Sequence, residues 1–191
     1  MDIKLLDFQI KDGYGEDFVI SMYGLDKKRN TYCIQINDFH PFVYIKVSEK
    51  WGRFKTEEFI NHFKEHNDKS IANSAKENIV HYEWVKKKTL YGFDANQYYN
   101  FVYISCKNMM FIHKLKSLYY DTNTQKLNEG YKYDNTYTQI YECMIPPLLR
   151  FFHIQKISPS GWIHIDKYTK NKYKNTNCNY ELICKYKNIL S

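Results

Sequence analysis

Three short apolar runs open the chain. Residues 3–11 (IKLLDFQIK) and 17–24 (DFVISMYG) flank Gly13 and Gly15, which reads as a hairpin. Thr31–Ile36 follows the polar turn DKKRN, so residues 1–40 predict an antiparallel β meander. His40-Pro41 interrupts the pattern, and Phe42–Val47 (FVYIKV) starts a new strand after a proline that cannot donate to a ladder. Thr56, followed by Glu57 and Glu58, predicts a helix over 57–66 with Phe59, Ile60 and Phe63 on one face. Polar residues 67–77 read as a loop. Residues 79–85 (IVHYEWV) and 98–106 (YYNFVYISC) are strand-like, the second strongly so because it is aromatic and β-branched. Asn108 caps a helix reaching Tyr119, with Met109, Ile112, Leu115 and Leu118 on a common stripe. Residues 121–136 lack apolar periodicity and predict a loop, and 137–142 a short strand.

The order from Phe42 is strand, helix, strand, strand, helix, strand. The predicted class is therefore α+β: an N-terminal antiparallel β meander (1–40), then a ferredoxin-like or RNA-recognition-like βαββαβ unit (41–142). Residues 143–191 follow as a third stretch. They contain a helix started by Pro147, a strand at Trp162, a Lys/Asn/Tyr-rich loop (166–179) and a closing strand, YELICKY.

Charge changes the picture more than size does. A net charge of +7 with 18% aromatic residues favours an anionic partner, and nucleic acid fits that pair of features. The five cysteines form no C-x-x-C pair, which argues against a zinc knuckle or a disulfide framework. No apolar run approaches a membrane span, and the N-terminus lacks a signal-peptide pattern. An intracellular, reducing setting is expected.

Candidate chemistry falls on two strands. Tyr99, Phe101 and Tyr103 share one face of their strand, and Tyr98, Val102 and Ile104 the other. The second set is more apolar and is expected to face the helices. That leaves Tyr99, Phe101 and Tyr103 to stack on bases, unless the meander covers them. Residues 97–104 match the RNA-recognition strand motif at Tyr99, Phe101 and Val102 and depart from it elsewhere. Lys86, Lys87, Lys88 and Lys107 are expected to cluster at neighbouring strand ends, as a solvated rim or a phosphate-contact patch. His62 to His66 fits H-x-x-E-H, but the short helix and the absence of a third ligand argue against a metal site. Cys106 with His113 lacks anything to align the pair, and Cys106 reads as an inert buried thiol.

Ile140–Ile165 (IYECMIPPLLRFFHIQKISPSGWIHI) resembles the segment of family B DNA polymerases just before their proofreading exonuclease. Tyr141, Glu142, Ile145, Pro147, Arg150, Phe151, Gly161 and Trp162 occupy the pattern, whereas Met144 and Pro146 stand where the family usually has Asn or Asp. Phe39-His40-Pro41-Phe42-Val43-Tyr44 is similar to the family's F-x-P-Y element, and Tyr91-Gly92-Phe93 to its turn between paired strands. The resemblance is nearest to delta-type and large-DNA-virus enzymes. It implies an N-terminal, pre-exonuclease domain, acting as a scaffold that contacts single-stranded template DNA. Its partners would be the exonuclease and polymerase domains of the same enzyme, with the chain otherwise monomeric. Pro147, Arg150 and Trp162 would serve the domain interface, and Pro41 with Phe42 would match a template pocket, without uracil sensing being carried over. The working place would be the host nucleus or a cytoplasmic viral replication site. Mg belongs to the complete polymerase; no cofactor is expected in this chain. The sequence holds no Asp-x-Glu and no Asp-Thr-Asp, the carboxylate clusters both chemistries need, so no catalysis is expected from it. The alternative is a free-standing RNA-recognition-like module that binds single-stranded nucleic acid.

Overall fold

The structure is a computed structural model and describes residues 1–90, 93–121, 123–124 and 126–191. In chain order, the first elements are β1 (Asp2–Lys11), β2 (Val19–Leu25), β3 (Thr31–Ile36) and β4 (Phe42–Lys46). Helices α1 (Arg53–Lys64) and α2 (Lys69–Asn78) precede β5 (Ile79–Lys87) and β6 (Tyr99–Cys106). Next come α3 (Met109–Leu118), β7 (Tyr120–Asp121), β8 (Lys126–Leu127), β9 (Tyr131–Tyr133) and β10 (Thr136–Tyr141). The chain closes with α4 (Pro147–Gln155), β11 (Trp162–Ile165), β12 (Thr169–Lys170), β13 (Tyr180–Ile183) and β14 (Ile189–Leu190). Two compact units result: Met1–His40 with Ile145–Ser191, and Pro41–Met144.

In the first unit the meander forms as expected, but it is the middle of a larger sheet. Among the described residues the order is β12-β13-β3-β2-β1-β11-β14. The sequence pattern sets 143–191 apart as a third stretch of helix and strands. Instead, Trp162 opens a strand lying antiparallel between β1 and β14, and β13 runs parallel to β3. A bare three-stranded meander leaves two rows of unpaired backbone groups, and the C-terminal strands satisfy both edges. The inward row is Ile3, Leu5, Ile20, Met22, Ile34, Ile36, Ile163 and Ile165, joined by Phe151 of α4, Ile157 and Phe39. Each fully buried side chain of this kind contributes about 1.5–3 kcal/mol at most. Gly24 allows the tight β1–β2 approach, since a Cβ there would stand 2.5 Å from the Lys4 carbonyl oxygen.

The stretch 166–179, a solvated loop by composition, is organised by polar contacts. The buried Glu181 carboxylate accepts the backbone N–H of Asn175 at 2.7 Å and that of Thr176. Thr31 and Asn179 exchange hydrogen bonds of 2.8 Å, each backbone N–H donating to the other's side chain.

The second unit has the ferredoxin-like topology. Its sheet runs β5-β6-β4-β10-β9, and the pairs joining β5, β6, β4 and β10 are all antiparallel. Val43, Ile45, Val102 and Ile104 of the sheet pack with Phe59, Phe63, Ile71, Phe111, Ile112 and Leu115 of the three helices. Three local expectations are corrected here. First, α1 begins at Arg53 behind Gly52. Thr56 is inside the helix, buried, and its hydroxyl donates back to the Gly52 carbonyl at 3.0 Å instead of capping.

Second, 69–78 is helix rather than loop. Asp68 caps α2 by accepting the Ser70 N–H at 2.8 Å, and Ile71, Ala72 and Ala75 are buried. Small and polar residues mask this stripe in the sequence, for Ser74 and Asn78 are buried too, and the Asn78 side-chain amide donates to the Ser74 carbonyl at 2.9 Å. Third, 121–136 carries hairpins. β7 pairs with β8, and β9 with β10 through Asp134 and Asn135, both left-handed at φ 48° and 56°. That is a two-residue turn of the type whose twist suits a hairpin. Thr138 on β10 donates to the Tyr131 carbonyl, so the buried Tyr119 hydroxyl, 2.8 Å away, donates to Thr138.

Candidate nucleic-acid interface

The sheet of the second unit has one face against its helices. Val102 and Ile104 point there as expected, and Tyr99, Phe101 and Tyr103 point to the opposite face. Register aligns Tyr141, Tyr44 and Tyr103 across three strands, and Lys46, Phe101 and Val85 in the next row. The rings pack on one another. Phe42 lies 5.0 Å from Tyr103, Tyr44 lies 5.5 Å from Tyr103, and Phe101 meets Tyr141 edge-on at 5.3 Å. Phe101 is 3% exposed. A base cannot stack on a ring so enclosed, which removes Phe101 from the proposed stacking set. Tyr99 and Tyr103 remain half-buried.

Lysines cover this aromatic layer. Lys46 Nζ sits 3.6 Å from the Tyr99 ring centre, and Lys87 Nζ 4.6 Å from that of Tyr44. Such contacts are worth about 0.5–1 kcal/mol when exposed. Lys46 escaped the sequence reading; the signal was the alternation Phe42, Tyr44, Lys46 on one strand face. The Tyr99 hydroxyl is pushed up from its ordinary pKa, first by burial and then by its hydrogen bond to Asp94.

The four lysines do not form one cluster. In the antiparallel β5–β6 pair Lys87 is opposite Tyr99, while Lys107 follows Cys106, which is opposite Ile79. Seven residues of strand, about 23 Å, separate the two ends. Lys86, Lys87 and Lys88 stay together at the loop end of the hairpin and are all exposed. Lys88 lies 5.0 Å from the ring of Tyr98, which is outside the strand and 60% exposed rather than turned to the helices. Asp94 accepts the Thr89 hydroxyl at 3.1 Å and Glu49 accepts the Gln97 side-chain amide at 3.3 Å, so the three lysine charges at this end of the hairpin stand against these two carboxylates. The expected Tyr91-Gly92-Phe93 turn has Tyr91 and Gly92 outside the described residues.

The remaining candidates are dispersed. Pro41 is buried, and its carbonyl accepts the Cys106 N–H at 2.8 Å, while Phe42 belongs to the aromatic layer. Pro147 occupies the first position of α4, and Arg150 is buried within that helix. Trp162 is half exposed at a cleft of about 380 Å³ with Asp2, Lys27 and His164. His62 Nε2 is 2.6 Å from the Tyr131 hydroxyl, so the H-x-x-E-H histidine is engaged in packing α1 on β9. Burial pushes the Cys106 thiol up, which keeps it protonated. Among the described residues there is no group of three or more His, Cys, Asp or Glu that could hold a metal ion. No helix of the described residues is long and apolar enough to cross a membrane.

Comparison with known proteins identifies the family. The family "DNA polymerase delta catalytic subunit-like, N-terminal domain" matches residues 38–113, and "DNA polymerase family B, exonuclease domain" matches 138–191. A DNA polymerase of Phaeocystis pouchetii virus is 37% identical over 211 residues, covering 97% of this chain and 20% of the relative. One from Acanthamoeba polyphaga mimivirus is 26% identical and covers 97% of this chain and 11% of the relative. A solved family B DNA polymerase from the archaeon Pyrobaculum calidifontis superposes with a TM-score of 0.64 at 14% identity, over 96% of this chain and 20% of that one. This chain belongs to the family B DNA polymerases, as an N-terminal region of one. It spans a fifth or less of the length of these relatives. The exonuclease family begins at β10 in its match, so α4 and the C-terminal strands fall inside it rather than before it.

Proposed function

We propose that this region holds single-stranded template DNA beside the catalytic domains of a viral replicative polymerase and supplies no catalytic group itself. The observation that carries the reading is the loop end of the β5–β6 hairpin, where Lys86, Lys87 and Lys88 stand exposed with the Tyr98 ring beside Lys88. Lysines neutralise phosphates without reading sequence, as a template channel requires. The region would act as a scaffold for the polymerase domain and for the rest of the exonuclease domain, into whose family match α4 falls. Mg would be held by those domains. The working place would be the host nucleus or a cytoplasmic replication site. Ring packing over Phe101 speaks against the free-standing RNA-recognition reading, which needs that ring open.

Photo-crosslinking of the chain to a bromouracil-substituted single strand, followed by peptide mapping, tests the proposal. Crosslinks in peptides spanning 81–99 are expected. Crosslinks restricted to residues 1–40 and 145–191 would contradict it.

A further inference from the structure

The hairpin carries more than charge. Phe93 is 100% exposed, and Leu90 and Tyr98 are exposed on the same connection. The backbone is held there by a left-handed pair, Ala95 at φ 53° and Asn96 at φ 63°, closed by the Gln97 N–H donating to the Asp94 carbonyl at 3.1 Å. Large apolar side chains this open are not part of any core; Lys88 Nζ lies 5.0 Å from the Tyr98 ring, and Phe93 follows Lys86–Lys88 on the same connection. Stacking surface next to phosphate-neutralising charge is the pairing that distinguishes single-strand sites from duplex sites, because a base must leave its stack to reach a ring.

We infer that Phe93 and Tyr98 are specificity-determining residues that stack on unpaired bases and restrict the lysine patch to single strands. The inference rests on the proposed DNA-contact reading and adds to it a preference that lysines alone do not give. It also moves the stacking role from the enclosed Phe101 to the connection between the strands. Lysines 86–88 neutralise the backbone while the rings take bases, so loss of a ring weakens single-strand binding and leaves duplex binding alone. Asp94, the carboxylate in this connection, is occupied by the Thr89 and Tyr99 hydroxyls.

The test is fluorescence anisotropy with the full 191-residue chain, using a single-stranded oligonucleotide, its duplex and an abasic strand at one fixed salt. Phe93→Ala and Tyr98→Ala are each expected to weaken single-strand binding about 5- to 100-fold, the loss of one base stack. Duplex and abasic-strand affinities should be unchanged, and Phe93→Trp should restore binding. Thermal midpoints should hold, since both side chains are exposed. If both alanine variants bind the single strand normally while Lys86→Ala/Lys87→Ala/Lys88→Ala binds weakly, the stacking inference fails and the DNA-contact reading stands. If the lysine variant also binds normally, both fail. Equal losses on single strand and duplex would overturn the inference. So would ring-dependent binding to anionic phosphatidylserine vesicles without ring-dependent DNA binding, which would make the connection a membrane contact.

Discussion

Ala95 holds a backbone conformation that costs an L-residue about 1–2 kcal/mol, and glycine regains most of it at the price of chain entropy. Ala95→Gly is therefore expected to raise stability by about 0.5–1 kcal/mol, read as a higher midpoint in urea. Phe101 makes the opposite case. Phe101→Ala should lower stability by about 3–5 kcal/mol, with any change in nucleic-acid affinity tracking the unfolded fraction. Acid sensitivity also has residue-level origins. Burial, then the His66 charge, depresses the His62 pKa below its ordinary 6.5. The unfolded chain then binds this proton more readily, so stability is full above about 6.5 and falls as pH drops through the folded value. Burial pushes the Glu181 carboxyl up, but its bonds from Thr176, Asn175 and Asn171 outweigh that, and the net pKa is below the ordinary 4.5. Its contribution is present above about 4.5 and disappears as pH falls through the folded value. A melting series should fall in two stages, with Glu181→Gln removing the lower one; an unchanged lower stage would clear Glu181 of the role. Neither environment was legible in the sequence, because the partners of Glu181 lie in a stretch whose composition resembles solvated loop.

Elements whose apolar period is strong were legible, and those built from small or polar residues were not. The aromatic run of β6 and the Asn108-capped stripe of α3 follow directly from their patterns. Helix α2 buries Ala72, Ser74, Ala75 and Asn78, none of which registers as hydrophobic periodicity. The β9–β10 hairpin was hidden because Asp134-Asn135 lacks the glycine that usually marks such turns, although both residues tolerate φ > 0. Strand closeness supplies a prediction at this scale. Gly24→Ala would drive a methyl into the Lys4 carbonyl and the Ile3 side chain, so it should cost at least about 1–3 kcal/mol. A variant that unfolds at the wild-type urea concentration would show that β1 and β2 separate freely.

At the scale of the molecule, the ferredoxin-like order was readable because its strands and helices follow one another in sequence. The other sheet was only half readable, since β11 and β13 return from the far end of the chain to flank β1 and β3. Nothing local in Trp162–Ile165 or Tyr180–Ile183 specifies partners more than a hundred residues away. The lysine patch failed for a related reason: adjacency in sequence order put Lys107 with Lys86–Lys88, and antiparallel register put it at the other end of the strands. Holding a template strand requires that this reduced patch grip phosphates. The direct measurement is single-stranded DNA affinity of the full chain across a salt series, for wild type and Lys86→Ala/Lys87→Ala/Lys88→Ala. Each phosphate neutralised contributes about −0.7 to the log–log slope, so the variant should be shallower by about 2. Parallel lines for the two proteins would contradict the account.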